Sequence, residues 1–223
     1  MGRMPWSSNR TFLVTCTLDG EELPAIYKPG RGERRLWDFP GGLYRREVAA
    51  FELSEALGWG VVPETALRAD GPLGEGSCQR FVPADFSQHH FTLVEEPRHH
   101  ERLKTIAAFD VVANNADRKS GHCLLGEDGT IWAIDNGLSF HREPKLRTVI
   151  WDFAGESIPP GVCADLHTLL DDLQQRGALH DRLATMLERF ELDALRVRTE
   201  HLIATGVLPE ADRDYHSYPW PTI

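Results

Sequence analysis

The sequence has 223 residues, 41% of them hydrophobic, a content typical of a globular protein with a sizeable core. Its 34 acidic and 24 basic residues give a formal net charge of −10, which argues against bulk electrostatic binding to nucleic acid or to an anionic membrane. No run of about eighteen apolar residues occurs and the first residues lack a signal-peptide core, so we expect a cytoplasmic protein without a stable membrane anchor. The four cysteines form no C-x-x-C pair, which argues against a zinc ribbon.

The beginning of the chain predicts a β-hairpin. An alternating run over residues 11–17 turns at Asp19-Gly20 and returns over residues 23–28. Three small polar residues precede the first strand: Ser7, Ser8 and Asn9. Such residues can offer backbone N–H groups and hydroxyls to phosphate oxygens, and the alternative is a frayed terminus.

Lys28 and Glu47 occur in an order that indicates a nucleotide site. Lys28 ends the second strand, and Pro29 prevents further strand pairing, so the ammonium can point into a cleft beneath the sheet. Residues 43–57 predict an amphipathic helix, with Glu47 in its first turns. A strand-end lysine followed by a helical glutamate is the order of the ion pair that holds phosphates in kinases. The alternative is that both are ordinary surface residues.

The next segments predict strands and a boundary between two lobes. One strand begins over residues 61–65, and residues 77–82 form another that Pro83 ends. A chain passing between lobes here would offer backbone groups to an adenine edge, and we expect this hinge at Arg80, Phe81 and Val82. The sequence thus divides into an N-lobe of residues 1–82 and a C-lobe of residues 83–223.

Two aspartates in the second half follow predicted elements. Residues 106–112 form an apolar run typical of a buried helix, and Asp117 lies on the loop after it. Asp135 directly follows a short hairpin. Kinase sites use one carboxylate to position the attacking hydroxyl, a second to bind metal, and a further metal ligand five residues after the first. Asp117, Asp135 and His122 correspond to these three groups in turn. The alternative is that the aspartates are ordinary turn residues, since Asp is common in turns.

The rest of the chain predicts an irregular segment and a helical end. Residues 85–102 are expected to be irregular, and their two histidine pairs lack the spacing of a zinc site. From residue 162 onward, apolar residues repeat at helical spacing, which predicts helices whose apolar faces lie in the hydrophobic core. The three groups are Leu166, Leu169, Leu170 and Leu173; Leu183, Met186, Leu187 and Phe190; and Leu195, Leu202 and Ile203.

Together these motifs resemble those of the phosphatidylinositol 3/4-kinase-related group, above all the type II phosphatidylinositol 4-kinases and their bacterial relatives. Toxin kinases of the HipA type are similar at a greater distance. The matching pieces are Ser7-Ser8, Ile26-Tyr27-Lys28-Pro29, the run from Gly76 to Val82, Asn115-Ala116-Asp117-Arg118, and the run from Ala133 to Phe140. The resemblance implies an α+β, bilobal protein-kinase-like fold with a small antiparallel-sheet N-lobe and a mainly helical C-lobe.

The resemblance also implies roles for single residues. Lys28 contacts ATP phosphates, Ser7 and Ser8 belong to the phosphate loop, Phe81 and Val82 frame adenine, Asp117 is the catalytic aspartate, and Asp135 binds Mg²⁺. His122 stands where the group has asparagine, and hard cations prefer oxygen to an imidazole nitrogen. The cysteine-rich palmitoylated segment of the eukaryotic lipid kinases is missing, so a lipid substrate does not follow from the resemblance.

We therefore expect transfer of the γ-phosphoryl group of ATP to a hydroxyl of a protein, a small molecule or an inositol lipid. Asp135, assisted by His122, would hold Mg²⁺. Lys28 would orient the phosphates while Asp117 receives or positions the hydroxyl proton, and Lys119 can reach the γ-phosphate. Two alternatives remain open: a nucleotide-binding pseudokinase that acts as a regulatory module, which His122 favours, and transfer of AMP instead of phosphate.

Overall fold

The computed structural model describes residues 2–3, 10–212 and 216–223. A five-stranded antiparallel sheet with one helix is followed by a mainly helical part that holds a two-stranded sheet. The strands are β1 Gly2–Arg3, β2 Phe12–Leu18, β3 Glu21–Pro29, β4 Thr65–Gly71, β5 Gly74–Arg80, β6 Cys123–Leu125 and β7 Ile131–Ala133. The helices are α1 Leu43–Ala56, α2 His90–Leu93, α3 His100–Ala113, α4 Pro160–Gln175, α5 Ala178–Ala184 and α6 Arg189–Thr205, with 3₁₀ turns at Pro97–His99 and Ser120–His122. The expected α+β class is confirmed.

The large sheet has the strand order β1-β2-β3-β5-β4 and carries Lys28 near the end of β3, opposite Ser77. Tyr27 beside it is fully buried, and its hydroxyl donates a hydrogen bond to the Gly74 carbonyl at 2.5 Å. A Cβ atom at Gly76 would lie only 2.5 Å from the Lys28 carbonyl. Only glycine therefore lets β5 approach the end of β3 so closely.

Helix α1 begins where Gly42 adopts a left-handed conformation with φ 84°. The Glu33 carboxylate accepts hydrogen bonds from the backbone N–H groups of Gly42 and Tyr44, both at 2.9 Å. These bonds satisfy donors that an α-helix leaves free in its first turn. The helix occupies the predicted range within one residue and buries Glu47 under the sheet.

One continuous hydrophobic core joins α1 to the helical part, with α3 at its centre. Ile106, Phe109 and Val112 are completely buried there. Among the residues described, no helix combines the length and the apolar character needed to cross a bilayer.

Residues 85–102 are not irregular as expected, because they contain α2, a 3₁₀ turn and the start of α3. The first turn of α3 is stabilised by polar tertiary contacts, which leave no hydrophobic periodicity in the sequence. The Arg102 guanidinium donates to the carbonyls of Trp59 and Gly60, each at 2.6 Å, and to that of Ile131 at 2.9 Å. Elements this short and polar do not produce a readable pattern.

The expectation that Leu183, Met186, Leu187 and Phe190 share one buried helical stripe is wrong for Phe190. Helix α5 ends at Ala184, so Met186 and Leu187 lie after it, and Phe190 lies in the first turn of α6, where it is 63% exposed. Glu188 caps α6, and its backbone N–H donates to Glu191 at 2.9 Å. This capping box restarts the helix with a new rotation and turns Phe190 outward.

Candidate active site

Lys28, Glu47 and Asp135 meet between the large sheet and the helical part. The Lys28 ammonium donates to Glu47 Oε1 and to Asp135 Oδ1, the latter at 2.6 Å. The other oxygen of Glu47 accepts the backbone N–H of Asn136 at 3.0 Å. Glu47 therefore joins the lysine of the sheet to the segment that carries Asp135.

The charges in this cluster stabilise one another. Burial disfavours the charge on Lys28, but the attraction of Asp135 and Glu47 outweighs it and raises the pKa of the ammonium. The Lys28 charge in turn holds the pKa of Asp135 below its ordinary value, against the effect of burial. At neutral pH the site consequently contains an ammonium and an ionised carboxylate in direct contact.

Asp117 lies on the loop after α3. Its backbone N–H donates to Asn115 Oδ1 at 2.9 Å, and its carboxylate lies 3.1 Å from the Lys119 ammonium. Burial raises the pKa of Asp117 to about 6, while Lys119 acts in the opposite direction. A carboxylate that loses its proton just below neutral pH is suited to accept a proton from a hydroxyl group.

His122 lies between the two aspartates. Its Nδ1 accepts the backbone N–H of Lys119 at 3.3 Å and lies 3.0 Å from the carbonyl of Asp117. Its Nε2 is 3.4 Å from Asp135 Oδ2. Burial lowers the pKa of the imidazole to about 4, against the attraction of Asp135. The ring is therefore neutral at physiological pH.

A buried arginine connects the two loops that carry the aspartates. Arg118 is fully buried and bonds Asp110 of α3 through Nε and Nη2 at 2.8 to 3.1 Å. Its Nη1 donates to the Ile134 carbonyl and its Nη2 to Asn136 Oδ1, both at 2.6 Å. Sequence reasoning named Arg118 only as part of a matching motif, gave it no role, and missed Asp110. The available signal was a single aspartate inside the apolar run of α3, since a buried carboxylate needs a partner.

The predicted residues border one cleft. A cavity of about 50 Å³ lies among Lys28, Glu47, Asp117 and Asp135, with Tyr44 on its wall. It is narrow because the lysine of the sheet and the aspartate of the helical part contact each other directly across it. The structure thus brings together residues that are widely separated in the chain.

The structure describes the expected hinge but not the expected phosphate loop. Ser7, Ser8 and Asn9 lie outside the described residues. The Arg80 side chain forms an ion pair with Glu64 and lies 4.9 Å from the ring centre of Trp132. The backbone N–H groups of Arg80 and Phe81 donate to the carbonyls of Glu64 and Pro24 at 2.8 and 3.0 Å. These two N–H groups are already bonded, so an adenine edge near Val82 would have to use other groups.

The fold is kinase-like. The chain is similar to the Golgi casein kinase with Mn/ADP bound, with a TM-score of 0.60 and 14% identity over 100% of this chain and 76% of that one. It is also similar to hydra Fam20 with sugar, with a TM-score of 0.54, 15% identity and coverage of 89% and 81%. A third similar structure is the Helicobacter pylori proinflammatory kinase CtkA, with a TM-score of 0.53, 12% identity and coverage of 93% of both chains. The expected kinase-like fold is confirmed, without support for the phosphatidylinositol 4-kinase group in particular.

No family model matches the chain. However, the chain is 38% identical over 255 residues to protein Rv2133c of Mycobacterium tuberculosis. The match covers 99% of this chain and 90% of that protein. The chain therefore belongs to the same family as Rv2133c.

Proposed function

We propose that this protein is a phosphotransferase that uses ATP and a divalent cation to phosphorylate a hydroxyl group of a protein, a small molecule or an inositol lipid. The observation that carries the proposal is the cleft itself, where a sheet lysine held by a helical glutamate faces Asp117 and Asp135. We also propose residues 1–82 and 83–223 as the two lobes, with the cleft between them.

The residues present fit a divalent cation. The Asp135 side chain is 51% exposed, and one of its oxygens faces His122 Nε2 at 3.4 Å. Among the residues described there is no group of three or more His, Cys, Asp or Glu side chains arranged to hold a metal ion. Asp135 and His122 would therefore hold the cation together with phosphate and water oxygens, as is usual for Mg²⁺ in kinases. Such a cation neutralises charge that develops on the phosphates during transfer.

Lys28 and Asp117 would act on the two reacting partners. Lys28 keeps its charge and is held in place by Glu47, so it can bind and orient phosphate oxygens. Asp117 would orient the acceptor hydroxyl and receive its proton, while Lys119, 3.1 Å away, can also contact the transferred phosphoryl group. Positioning and charge neutralisation supply most of the acceleration in reactions of this kind.

A second candidate is a pseudokinase that binds nucleotide without transferring phosphate. His122 favours it, because a nitrogen ligand binds Mg²⁺ less well than the asparagine oxygen expected there. Transfer of AMP is a third candidate, since the same groups could act on a nucleotide bound in the opposite direction. The product distinguishes the three candidates.

The test measures ATP consumption by phosphorus NMR, with Mg²⁺ or Mn²⁺ and with acceptors that include a serine peptide, a monosaccharide and an inositol lipid. Asp117→Asn and Asp135→Asn should each reduce turnover by about 10²- to 10⁴-fold. Asp171→Asn, on the exposed face of α4, is the matched control and should leave turnover unchanged.

Three outcomes would contradict the phosphotransferase. Wild-type turnover in both variants would remove Asp117 and Asp135 from the mechanism. Saturable ATP binding without any product would support the pseudokinase. An acceptor whose mass increases by AMP would support the AMP transferase.

A further inference from the structure

A short turn between β3 and α1 lies at the mouth of the cleft. A β-bridge between Leu36 and Phe39 closes this turn and leaves Trp37 at its tip. Phe39 is buried in a small apolar cluster with Ala116, the residue directly before Asp117. The tip of the turn is therefore held close to the aspartate that would receive the proton of the acceptor.

Further contacts hold the turn without covering its tip. Next to Trp37, the Asp38 carboxylate lies 3.4 Å from the ammonium of the buried Lys145. The ring centre of Phe39 lies 5.2 Å from that of His141. Trp37 itself is 97% exposed, so its ring contributes almost nothing to the core. A single exposed ring is common on protein surfaces, and the charges around it indicate what it binds.

The segment before Trp37 is positively charged. We call its exposed arginines and this tryptophan the basic rim: Arg31, Arg34, Arg35 and Trp37. The two acids of the segment are engaged elsewhere, because Glu33 accepts the N–H groups at the start of α1 and Asp38 faces Lys145. Within the part of the chain that the structure describes, Arg31 and Arg35 have no hydrogen bond and no ion pair. A protein with a formal net charge of −10 thus has a local positive surface beside its proposed active site.

The segment that carries the basic rim reaches the cavity. Arg10 lines the cavity together with Lys28 and Asp117. Gly32 lies directly after the first arginine of the rim, and its backbone is left-handed with φ 115°. A Cβ atom at Gly32 would lie 2.7 Å from Arg10 Cδ, so glycine lets the arginine of the cavity pack on the rim segment. A chain that binds the rim can therefore continue into the cleft and present a hydroxyl to Asp117.

We propose that the basic rim binds an acidic segment of a protein whose hydroxyl is the acceptor. Because it names the acceptor of that reaction, this inference rests on the proposed function. Sites for small molecules are concave and enclose most of the ligand, whereas Trp37 projects into solvent. An anionic membrane would face a broad surface of an acidic protein and be repelled. A peptide contacts only groups within about 10 Å, the distance over which salt screens charges, and so meets the positive rim alone.

The test measures binding to the full chain by fluorescence anisotropy. The probe is a labelled peptide with one serine between glutamates. It is compared with the same peptide carrying glutamines in place of the glutamates, and with phosphatidylserine vesicles. The acidic peptide should bind more tightly than either, and added salt should weaken its binding because the contacts are exposed charges. In turnover measurements, loss of the rim should raise KM for this peptide and leave kcat unchanged, since the rim does not contact the reacting atoms.

Variants of the basic rim should weaken this binding. Arg31→Gln with Arg35→Gln should reduce the affinity for the acidic peptide about three- to thirtyfold. Trp37→Ala should reduce it about tenfold, since tryptophan often supplies much of the energy of an interface. Arg98→Gln with Arg189→Gln removes the same charge from side chains of the helical part that are 70% and 83% exposed, and should leave the affinity unchanged.

Several results would overturn the inference. They are failure to bind the acidic peptide, equal binding of the glutamine peptide, and unchanged affinity in the rim variants. Stronger binding to the vesicles would assign the rim to a membrane instead. Phosphate transfer to the monosaccharide or the inositol lipid but not to the acidic peptide would keep the proposed function and remove this inference. Binding of the acidic peptide through the rim, without transfer to any acceptor, would keep the rim and contradict the phosphotransferase.

Discussion

The cluster of Arg118 with Asp110 and the cluster of Lys28 with Glu47 and Asp135 have the same chemistry, since each places a basic side chain against acids. The first is closed: both side chains are 0% exposed. The second is open on one side, with Lys28 at 19% and Asp135 at 51% exposure. Water and a ligand can therefore reach the second cluster and are excluded from the first.

The closed cluster orients the open one. Arg118 directly follows Asp117, and its partner Asn136 directly follows Asp135, so each aspartate is next to a residue anchored in the buried cluster. Asp135 has a left-handed backbone with φ 58°, a conformation that few residues other than glycine adopt. The bonds of Asn136 to Arg118 and Glu47 hold that conformation. The buried cluster thus holds the two aspartate loops in place, and the exposed cluster is the one that a ligand can reach.

The largest expected effect comes from breaking the closed cluster. Asp110→Ala leaves the Arg118 charge buried without its carboxylate and should lower the free energy of unfolding by about 3–5 kcal/mol. Urea denaturation at pH 7.5, followed by tryptophan fluorescence, measures this loss.

Two further variants show whether the closed and open clusters differ. Replacing both partners by apolar residues, Asp110→Leu with Arg118→Met, should recover much of the loss because no unpaired charge remains. Asp135→Asn in the open cluster should change stability by less than about 1 kcal/mol, since the exposed side chain is solvated and Lys28 keeps Glu47. Equal losses for Asp110→Ala and Asp135→Asn would show that exposure does not separate the two clusters.

A smaller effect is expected when pH is changed. The activity of the site should depend on pH through the protonation of Asp117. Because the pKa of Asp117 is raised to about 6, kcat/KM should increase with pH up to about 6 and fall about tenfold per pH unit below it. Steady-state ATP consumption between pH 5 and 8 gives the profile.

Lys119 provides the control for this pH dependence. The ammonium lowers the pKa of Asp117, so Lys119→Met should move the inflection to higher pH. A profile that is flat from pH 5 to 7 in the wild-type protein would argue against Asp117 as the group that receives the proton.

The smallest effect is expected at an exposed ion pair that belongs to neither cluster. Arg182 of α5 donates to Glu52 of α1 at 2.7 Å, with its side chain 49% exposed. Arg182→Ala should lower the free energy of unfolding by no more than about 1 kcal/mol, because solvent screens such pairs. Thermal unfolding measures it, and a loss as large as that of Asp110→Ala would mean that burial does not determine the strength of these pairs.

Local patterns predicted much of the cleft. Lys28 ends a predicted strand, Glu47 lies on the amphipathic helix that follows, and Asp117 follows an apolar helix. Each of these positions could be predicted from a short stretch of neighbouring sequence. The closed cluster was not readable in this way. Arg118 and Asp110 resembled an ordinary loop arginine and a helical aspartate until the fold showed their complete burial.

The sequence by itself determined the longer elements beside the cleft, their order, and the acids and bases that they carry, because hydrophobic periods and turn residues act over a few neighbours. It did not determine the short elements within residues 85–102. The tertiary structure decided which of them meet. Lys28 contacts Asp135 across 107 positions, and Nε2 of His122 lies 3.4 Å from that same carboxylate. Such contacts depend on the packing of α1 and α3 in one core, and no local segment contains that information.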